Sequence, residues 1–209
     1  MATKTEPRTT AQPTKGNGVT PEAQPHQHQR GHVIQQPGSV RDLPIGLPAD
    51  VRNENANALN QLLADTITLY NLYKKSHWQV SGHTFYQLHL LFDKHAAEQA
   101  ELIDEIAERV QTLGGIAIGM PWDVAEMTRI ERPPLGAEEV PVIIDRLLEA
   151  HQIIIEEARA LGEKADENHD LRTNDLIASE VLAKNELQVW FVAEHVVDTP
   201  TVIAHDANS

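Results

Sequence analysis

Apolar residues recur at three- and four-residue steps from Asp50 onward. Leu59, Leu62, Leu63, Ile67, Tyr70 and Tyr73 fall on one side of a helix predicted over residues 51–79, with Gly82 beyond its end. Thr84 is placed to cap a second helix that runs to Leu113, where Gly114-Gly115 stops it; its stripe is Leu88, Phe92, His95, Leu102 and Ile106. Residues 122–129, between Pro121 and Pro133-Pro134, have room only for a short helix. A third long helix starts near Glu138, holds Pro141 in its first turn, and repeats Val140, Ile144, Leu147, His151, Ile154, Ala158 and Leu161. A fourth, capped by Asp170 or a neighbour, runs to about Val196 with Ala178, Val181, Leu182, Val189 and Val192 turned inward.

Four long helices with scarcely any strand signal predict an all-α, four-helix bundle. The connection between helices two and three spans about 24 residues, too long for a tight hairpin and suited to a crossover carrying the short helix. That is a ferritin-like topology. Residues 1–47, rich in Pro, Gln, Thr and Gly, read as a disordered or loosely draped arm; residues 48–197 form the bundle and 198–209 a tail.

The chain has 209 residues, room for one well-buried core. It has no cysteine, which excludes disulfides, thiolate clusters and thiol catalysis and leaves His and carboxylates for metal binding or catalysis. No apolar signal core opens the sequence and no apolar run approaches membrane-spanning length, so a soluble, cytoplasmic protein is expected. The net charge is −14. Residues 1–41 carry Lys4, Arg8, Lys15, Arg30 and Arg41 against Glu6 and Glu22, leaving about −17 on the remainder. Such a body repels nucleic acid and attracts cations.

Candidate chemistry concentrates on helix two. His89/Asp93 and Asp104/Glu108 are pairs four residues apart, the spacing at which a helix offers two donors to one metal. The pairs share a face, at roughly 100° to 200° from Leu88, yet His89 and Glu108 stand roughly 28 Å apart along a continuous helix. No single ion reaches both. An antiparallel copy related by a two-fold axis would set His89 and Asp93 of one chain beside Asp104 and Glu108 of the other. Ala97 and Ala100, small residues between the pairs, would admit a partner helix. An ordinary solvated face is the competing explanation. The paired Glu-x-x-His motifs of an intrasubunit di-iron bundle are missing.

His77-Trp78-x-Val80-x-Gly82-x-x-Phe85-x-x-Leu88-His89-x-x-x-Asp93, then Asp104-x-x-Ala107-Glu108-Arg109 and Leu113-Gly114-Gly115, closely resembles the signature of the Dps miniferritins, the DNA-binding proteins from starved cells. The resemblance runs from about residue 52 to 196. It implies a hollow homododecamer with ferroxidase centres at two-fold dimer interfaces, where His77, His89 and Asp93 of one subunit meet Asp104 and Glu108 of its mate. Carboxylates and imidazoles suit Fe(II) and tolerate Fe(III). The resemblance favours hydrogen peroxide over oxygen as oxidant, at two irons per centre, with zinc as a competing structural occupant. It also gives Lys74 as the partner that orients Asp93, and Trp78 as a residue that intercepts stray oxidising equivalents or simply packs.

Residues 166–175 resemble the acidic stretch of the family's three-fold iron channels, with Asp166, Asp170 and Asp175 as channel carboxylates. Glu98, Glu101 and Glu105 form a stripe for ferric nucleation or a solvated face; Leu90 and Lys94 stand where relatives are often acidic. His95 and His151 lie on apolar stripes and read as core residues. His26, His28 and His32 have a spacing that grips a transition metal, or one that arises by chance in such a tail.

The alternative function is a nucleoid-associated, DNA-protecting protein acting through the basic arm. With +3 spread over 41 residues against an acidic body, weak binding or none is expected at physiological salt. A gel-shift titration checks this: a tight complex at moderate salt would reverse the ranking of the two functions.

Overall fold

Buried polar side chains on the first helix decide how the other elements pack. The computed structural model describes residue 27 and residues 31–197. The disordered-arm reading of residues 1–30, apart from residue 27, and the tail at 198–209 therefore lie outside the described residues. The chain divides between Gln36 and Pro37, and the helices belong to the unit that begins at Pro37. They are α1 (Ala49–Gln79), α2 (Phe85–Thr112), the short α3 (Pro121–Met127), α4 (Val140–Glu167), α5 (Leu171–Leu176) and α6 (Ala183–Ala193), with a π-helical segment, Ile177–Leu182, joining the last two. The fold is all-α and ferritin-like, and α3 rides in the crossover as the spacing predicts. No helix among the described residues is long and apolar enough to cross a membrane.

The core is built from the predicted stripes: Leu59, Leu62, Leu63 and Tyr73 of α1, Leu88, Phe92, Leu102 and Ile106 of α2, and Ile144, Leu147, Ile154 and Ala158 of α4 are buried. The helices α2 and α4 both end in paired backbone bonds. At the end of α2, Gly114 N–H donates to Gln111 O (2.9 Å) and Gly115 N–H to Val110 O (3.0 Å), with Gly114 at φ +87°. At the end of α4, His169 takes the left-handed place (φ 59°), and Asp170 N–H donates to Ala165 O (2.8 Å). Gly114 is also a point of close approach, because a Cβ there would lie 2.6 Å from Arg41 O. Arg41 N–H donates to Gly114 O (2.8 Å), and the buried guanidinium of Arg52 donates to the carbonyls of Arg41 (2.5 Å), Leu47 (3.2 Å) and Leu113 (3.3 Å). The last part of the predicted arm, residues 41–47, is thus pinned across the end of α2.

The fourth helix departs from expectation. Ala178 is exposed, and Leu182 and Val189 are only half-buried; the inward line is Thr173, Ile177, Val181, Asn185, Gln188 and Val192. A π segment takes up more residues per turn than an α-helix and rotates the turns after it, so a stripe drawn at 3.6 residues per turn slips. Polar Asn185 and Gln188 then face the core, where an apolar stripe was expected.

Two buried polar knots hold the bundle. In one, Asp65 of α1 accepts from Thr128 Oγ1 (2.6 Å), Arg129 N–H (2.7 Å) and Gln61 Nε2 (2.7 Å), clamping the crossover just past α3. Glu157 of α4 lies beside it, 2.8 Å from the Arg129 guanidinium. Burial, then the negative charge of Asp65, pushes the Glu157 carboxyl up to about 7. In the other knot, at the bundle centre, His95 and His151 surround the Tyr73 hydroxyl. Burial lowers His95 to about 4 and His151 to about 3, so both imidazoles are neutral at pH 7.

These shifts fix the sign of the acid response. Both histidines are neutral in the folded state and titrate near 6.5 when unfolded, so the unfolded chain gains protons first as pH falls from about 6.5 to 4, and stability drops. Glu157 opposes this: its raised pKa makes the folded state hold the extra proton between about 7 and 4.5, so acidification stabilises through that group. Glu157→Gln is expected to raise stability at pH 8, on the order of 1–3 kcal/mol, and to steepen the loss toward pH 5. Urea unfolding at several pH values checks both directions.

Candidate metal centre

A five-residue connection with Gly82 at φ 92° folds α2 back along α1 and brings His77 against His89. Their rings stack at 3.8 Å with 19° between planes, and Phe85 covers His89 at 5.1 Å. The two histidines are locked reciprocally: His77 Nδ1 donates to His89 O (2.7 Å) and His89 Nδ1 donates to His77 O (2.9 Å). A carbonyl oxygen only accepts, so each Nδ1 carries a proton, and in the neutral form of either ring Nε2 is the atom with the lone pair. Backbone carbonyls thus fix tautomer and ring orientation as an outer partner does for a metal-binding imidazole.

Asp93 stands one turn along α2 from His89. Its Oδ1 accepts from Lys74 Nζ (2.6 Å) and lies 4.0 Å from His77 Nε2. The Lys74 hydrogen bond, against a smaller effect of desolvation, holds the Asp93 carboxyl below its ordinary range. Trp78, beside His77 in sequence, is 71 % exposed, and the Lys74 ammonium is 5.9 Å from its ring centre.

Asp104 and Glu108 lie on the same continuous α2, exposed and without a hydrogen bond or ion pair among the described residues. Ala97 and Ala100 between the pairs are exposed as well. The face expected to lie outside the bundle core does so. In one chain, the structure brings together His77, His89, Asp93 and Lys74, and leaves Asp104 and Glu108 roughly three to four turns beyond Asp93 along the helix. No group of three or more metal-ligating side chains gathers within the single chain among the described residues.

Two expectations change. Asp170 was expected with Asp166 and Asp175 in a channel, but it is 1 % exposed. It caps α5, accepting from Thr173 N–H (3.1 Å) and Oγ1 (2.6 Å), Asn55 Nδ2 (2.8 Å) and Arg109 Nη2 (2.5 Å). Burial raises its pKa, but the bonds from Thr173 and Asn55 and the charge of Arg109 outweigh that and keep it ionised. It is a structural cap with no oxygen left for a channel. Asp166 and Asp175 are exposed, Asp175 paired with Arg172 at 2.7 Å.

The Glu98, Glu101 and Glu105 stripe is not a bare acidic patch either. Glu98 accepts from Lys94 and from Gln188 (2.8 Å), while Lys184 reaches toward Glu101 (3.8 Å), Glu105 (4.0 Å) and Glu180 (3.0 Å). Lys184 and the carbonyl locks of the histidines are features that sequence spacing does not announce: one needs the packing of the fourth helix on α2, the other the exact hairpin register. Of the arm histidines, His32 is exposed, and His26 and His28 lie outside the described residues.

Comparison with known proteins covers most of the chain. The ferritin-like domain family matches residues 56–202. DpsC from Streptomyces coelicolor is 56 % identical and superposes with a TM-score of 0.81, over 82 % of this chain and all of that one. The Vibrio cholerae O1 Dps protein, described as a member of a broad superfamily of ferritin-like diiron-carboxylate proteins, is 26 % identical with a TM-score of 0.70, covering 74 % of this chain and 96 % of that one. A DNA protection during starvation protein of Agrobacterium fabrum is 31 % identical over 152 residues, 72 % of this chain and 92 % of that one.

The tautomer assignment is open to direct measurement. Long-range 15N–1H correlation spectra of the metal-free protein are expected to show His77 and His89 protonated at Nδ1 and bare at Nε2; an Nε2–H pattern on either ring would break the proposed role of the carbonyl locks.

Proposed function

This chain belongs to the Dps family of ferritin-like proteins, and on that premise we propose that it is an iron-storing ferroxidase whose centres are shared between subunits. Fe(II) is the substrate. His77, His89 and Asp93 of one subunit bind it together with Asp104 and Glu108 of the partner subunit, two irons to a centre. Twelve subunits form the cage that stores Fe(III), in the cytoplasm. The observation that carries this reading is the pair of reciprocally locked imidazoles, with Asp93 Oδ1 4.0 Å from His77 Nε2, on an exposed helix face whose other carboxylate pair lies too far away to serve the same ion.

Hydrogen peroxide is the proposed oxidant: two Fe(II), one peroxide and two protons give two Fe(III) and two waters. Taking two electrons from neighbouring irons avoids the one-electron step that frees hydroxyl radical. The protein's part is to hold both irons at once, with two neutral nitrogens and three carboxylates offsetting their charge. Lys74 holds Asp93 in the position it needs until a metal competes for the same oxygen. Exposed Asp166 and Asp175 are proposed to draw Fe(II) toward the cage. Lys94 and Lys184 leave the Glu98, Glu101 and Glu105 stripe largely self-neutralised, a weaker nucleation surface than its sequence suggests. The acidic body disfavours DNA as the main partner.

Subunit sharing has a distinctive genetic signature. A variant with His89→Ala and Asp93→Ala and another with Asp104→Ala and Glu108→Ala are each expected to lose fast peroxide-dependent Fe(II) oxidation, by about 10²-fold or more. Refolding the two as a mixture is expected to restore intact centres in mixed dimers and recover part of the activity. Failure of every mixture to exceed its components, with assembly verified, would place the centre within one chain. Wild-type protein no faster than buffer would remove the ferroxidase reading altogether.

A further inference from the structure

A hollow of about 260 Å³ lies in the groove between α1 and α4, and its lining shares no residue with the candidate metal centre. Its floor is small and apolar, made by Ala58, Ala160 and Leu161, while both ends are polar. Glu157 and Arg129 stand at one end, Glu54, Asn55 and Lys164 at the other. Asn55 is fully buried. Its Nδ2 donates to Asp170 Oδ2 (2.8 Å), but its Oδ1 has no hydrogen-bond partner. A buried acceptor left unmatched costs stability, so this end of the hollow calls for a donor that the chain does not supply.

Charge points the same way at both ends. Once Glu157 is ionised, Asp65 and Glu157 face Arg129 alone, and Glu54 and Glu167 face Lys164 alone. Each end thus carries one negative charge in excess. Neither cation is a tight match. The Lys164 ammonium is 3.7 Å from Glu54 and 3.8 Å from Glu167, beyond direct hydrogen-bond reach. Arg129 is exposed; its guanidinium lies 2.8 Å from Glu157, yet neither buried oxygen of that carboxylate has a hydrogen-bond partner. Glu157 and Lys164 are seven positions apart, roughly 10 Å along α4. An extended chain covers that distance in about eight or nine bonds, at about 1.2 Å per bond.

We propose that this groove binds a linear aliphatic polyamine, with its terminal ammonium groups about nine bonds apart. One ammonium donates to Asn55 Oδ1 and Glu54. The other donates to Glu157 in place of the Arg129 guanidinium, which swings into solvent, so the buried carboxylate is never left without a cation. The methylenes lie on Ala58, Ala160 and Leu161. Glu157, held up to about 7 by burial and by Asp65 of α1 against the pull of Arg129 on the crossover, ionises fully when the ammonium arrives and releases its proton.

The test is isothermal titration of the full-length protein at pH 7 and about 0.15 M salt, where long-range attraction to the acidic body is screened. Spermidine and octane-1,8-diamine, each with nine bonds between terminal nitrogens, are expected to bind once per chain. Putrescine, with five, reaches only one end and is expected to bind about tenfold more weakly or worse. Repeating the titration in buffers of different ionisation enthalpy should show proton release, which Glu157→Gln abolishes. Ala160→Leu, at an exposed position, fills the groove and should prevent binding with the melting temperature unchanged. Equal binding of all three amines, or binding indifferent to both variants, reveals only the general pull of an acidic chain and overturns the site. Absence of binding by the two long amines overturns it as well. The two substitutions act at different places, so if one variant fails to fold the other still decides.

Discussion

A buried polar group left without a partner costs stability, and α1 is unusually rich in such groups. Each is matched to a different neighbour. Arg52 gathers the carbonyls of the chain entering α1 and of the end of α2; Asn55 binds Asp170 at the start of the fourth helix; Asn60 clasps Ile116 O (2.9 Å) and Ile118 N–H (3.0 Å) of the crossover. Asp65 clamps the end of α3, and Tyr73 joins α2 to α4. Apolar stripes bring helices together without fixing their sliding position; these bonds fix it. The register of α1 on α2 is what sets His77 level with His89, so the candidate centre inherits its geometry from polar contacts along the whole helix.

That division of labour explains what could be read from the sequence. Periodicity located the helices, since Leu59, Phe92, Ile144 and their repeats are buried for the reason that places them: apolar area leaves water. Four-residue spacing likewise placed His89/Asp93 and Asp104/Glu108 on a face outside the core. Long-range polar pairing leaves no such trace. Asp170 in an Asp/Asn-rich stretch looks solvated until Arg109, 61 positions away, is known to reach it. The stripe at Ala178 failed because a π segment changes the period itself, and nothing in Ile177–Leu182 marks that change beforehand. The Dps signature carried the ligand assignment beyond what spacing alone supports.

Charge is distributed by the same logic of local pairing. The body is strongly acidic, yet the acidic stripes near the candidate centre are not bare: Lys74 holds Asp93, Lys94 holds Glu98, and Lys184 stands among Glu101, Glu105 and Glu180. Each lysine supplies the positive charge that its carboxylates would otherwise lack. Asp104 and Glu108 have no such counter-ion among the described residues of one chain, which makes them the pair most dependent on a ligand or a partner for compensation.

A centre divided between two chains ties metal binding to assembly. If an ion binds the dimer more tightly than either half-site, then by linkage it stabilises the dimer by the same factor. The half-site on α1 and α2 is already organised, because the imidazoles are fixed by backbone carbonyls and Asp93 by Lys74, so little of the binding free energy goes into ordering those side chains. More of it is therefore available to hold the second chain in place. In the proposed shared centre, Asp104 and Glu108, exposed and unpaired among the described residues, would contribute through the charge they bring to the other side of the ion. On this reading the reciprocal histidine locks do two things with one geometry: they present bare nitrogens to iron, and they turn iron binding into a force that favours the assembled protein.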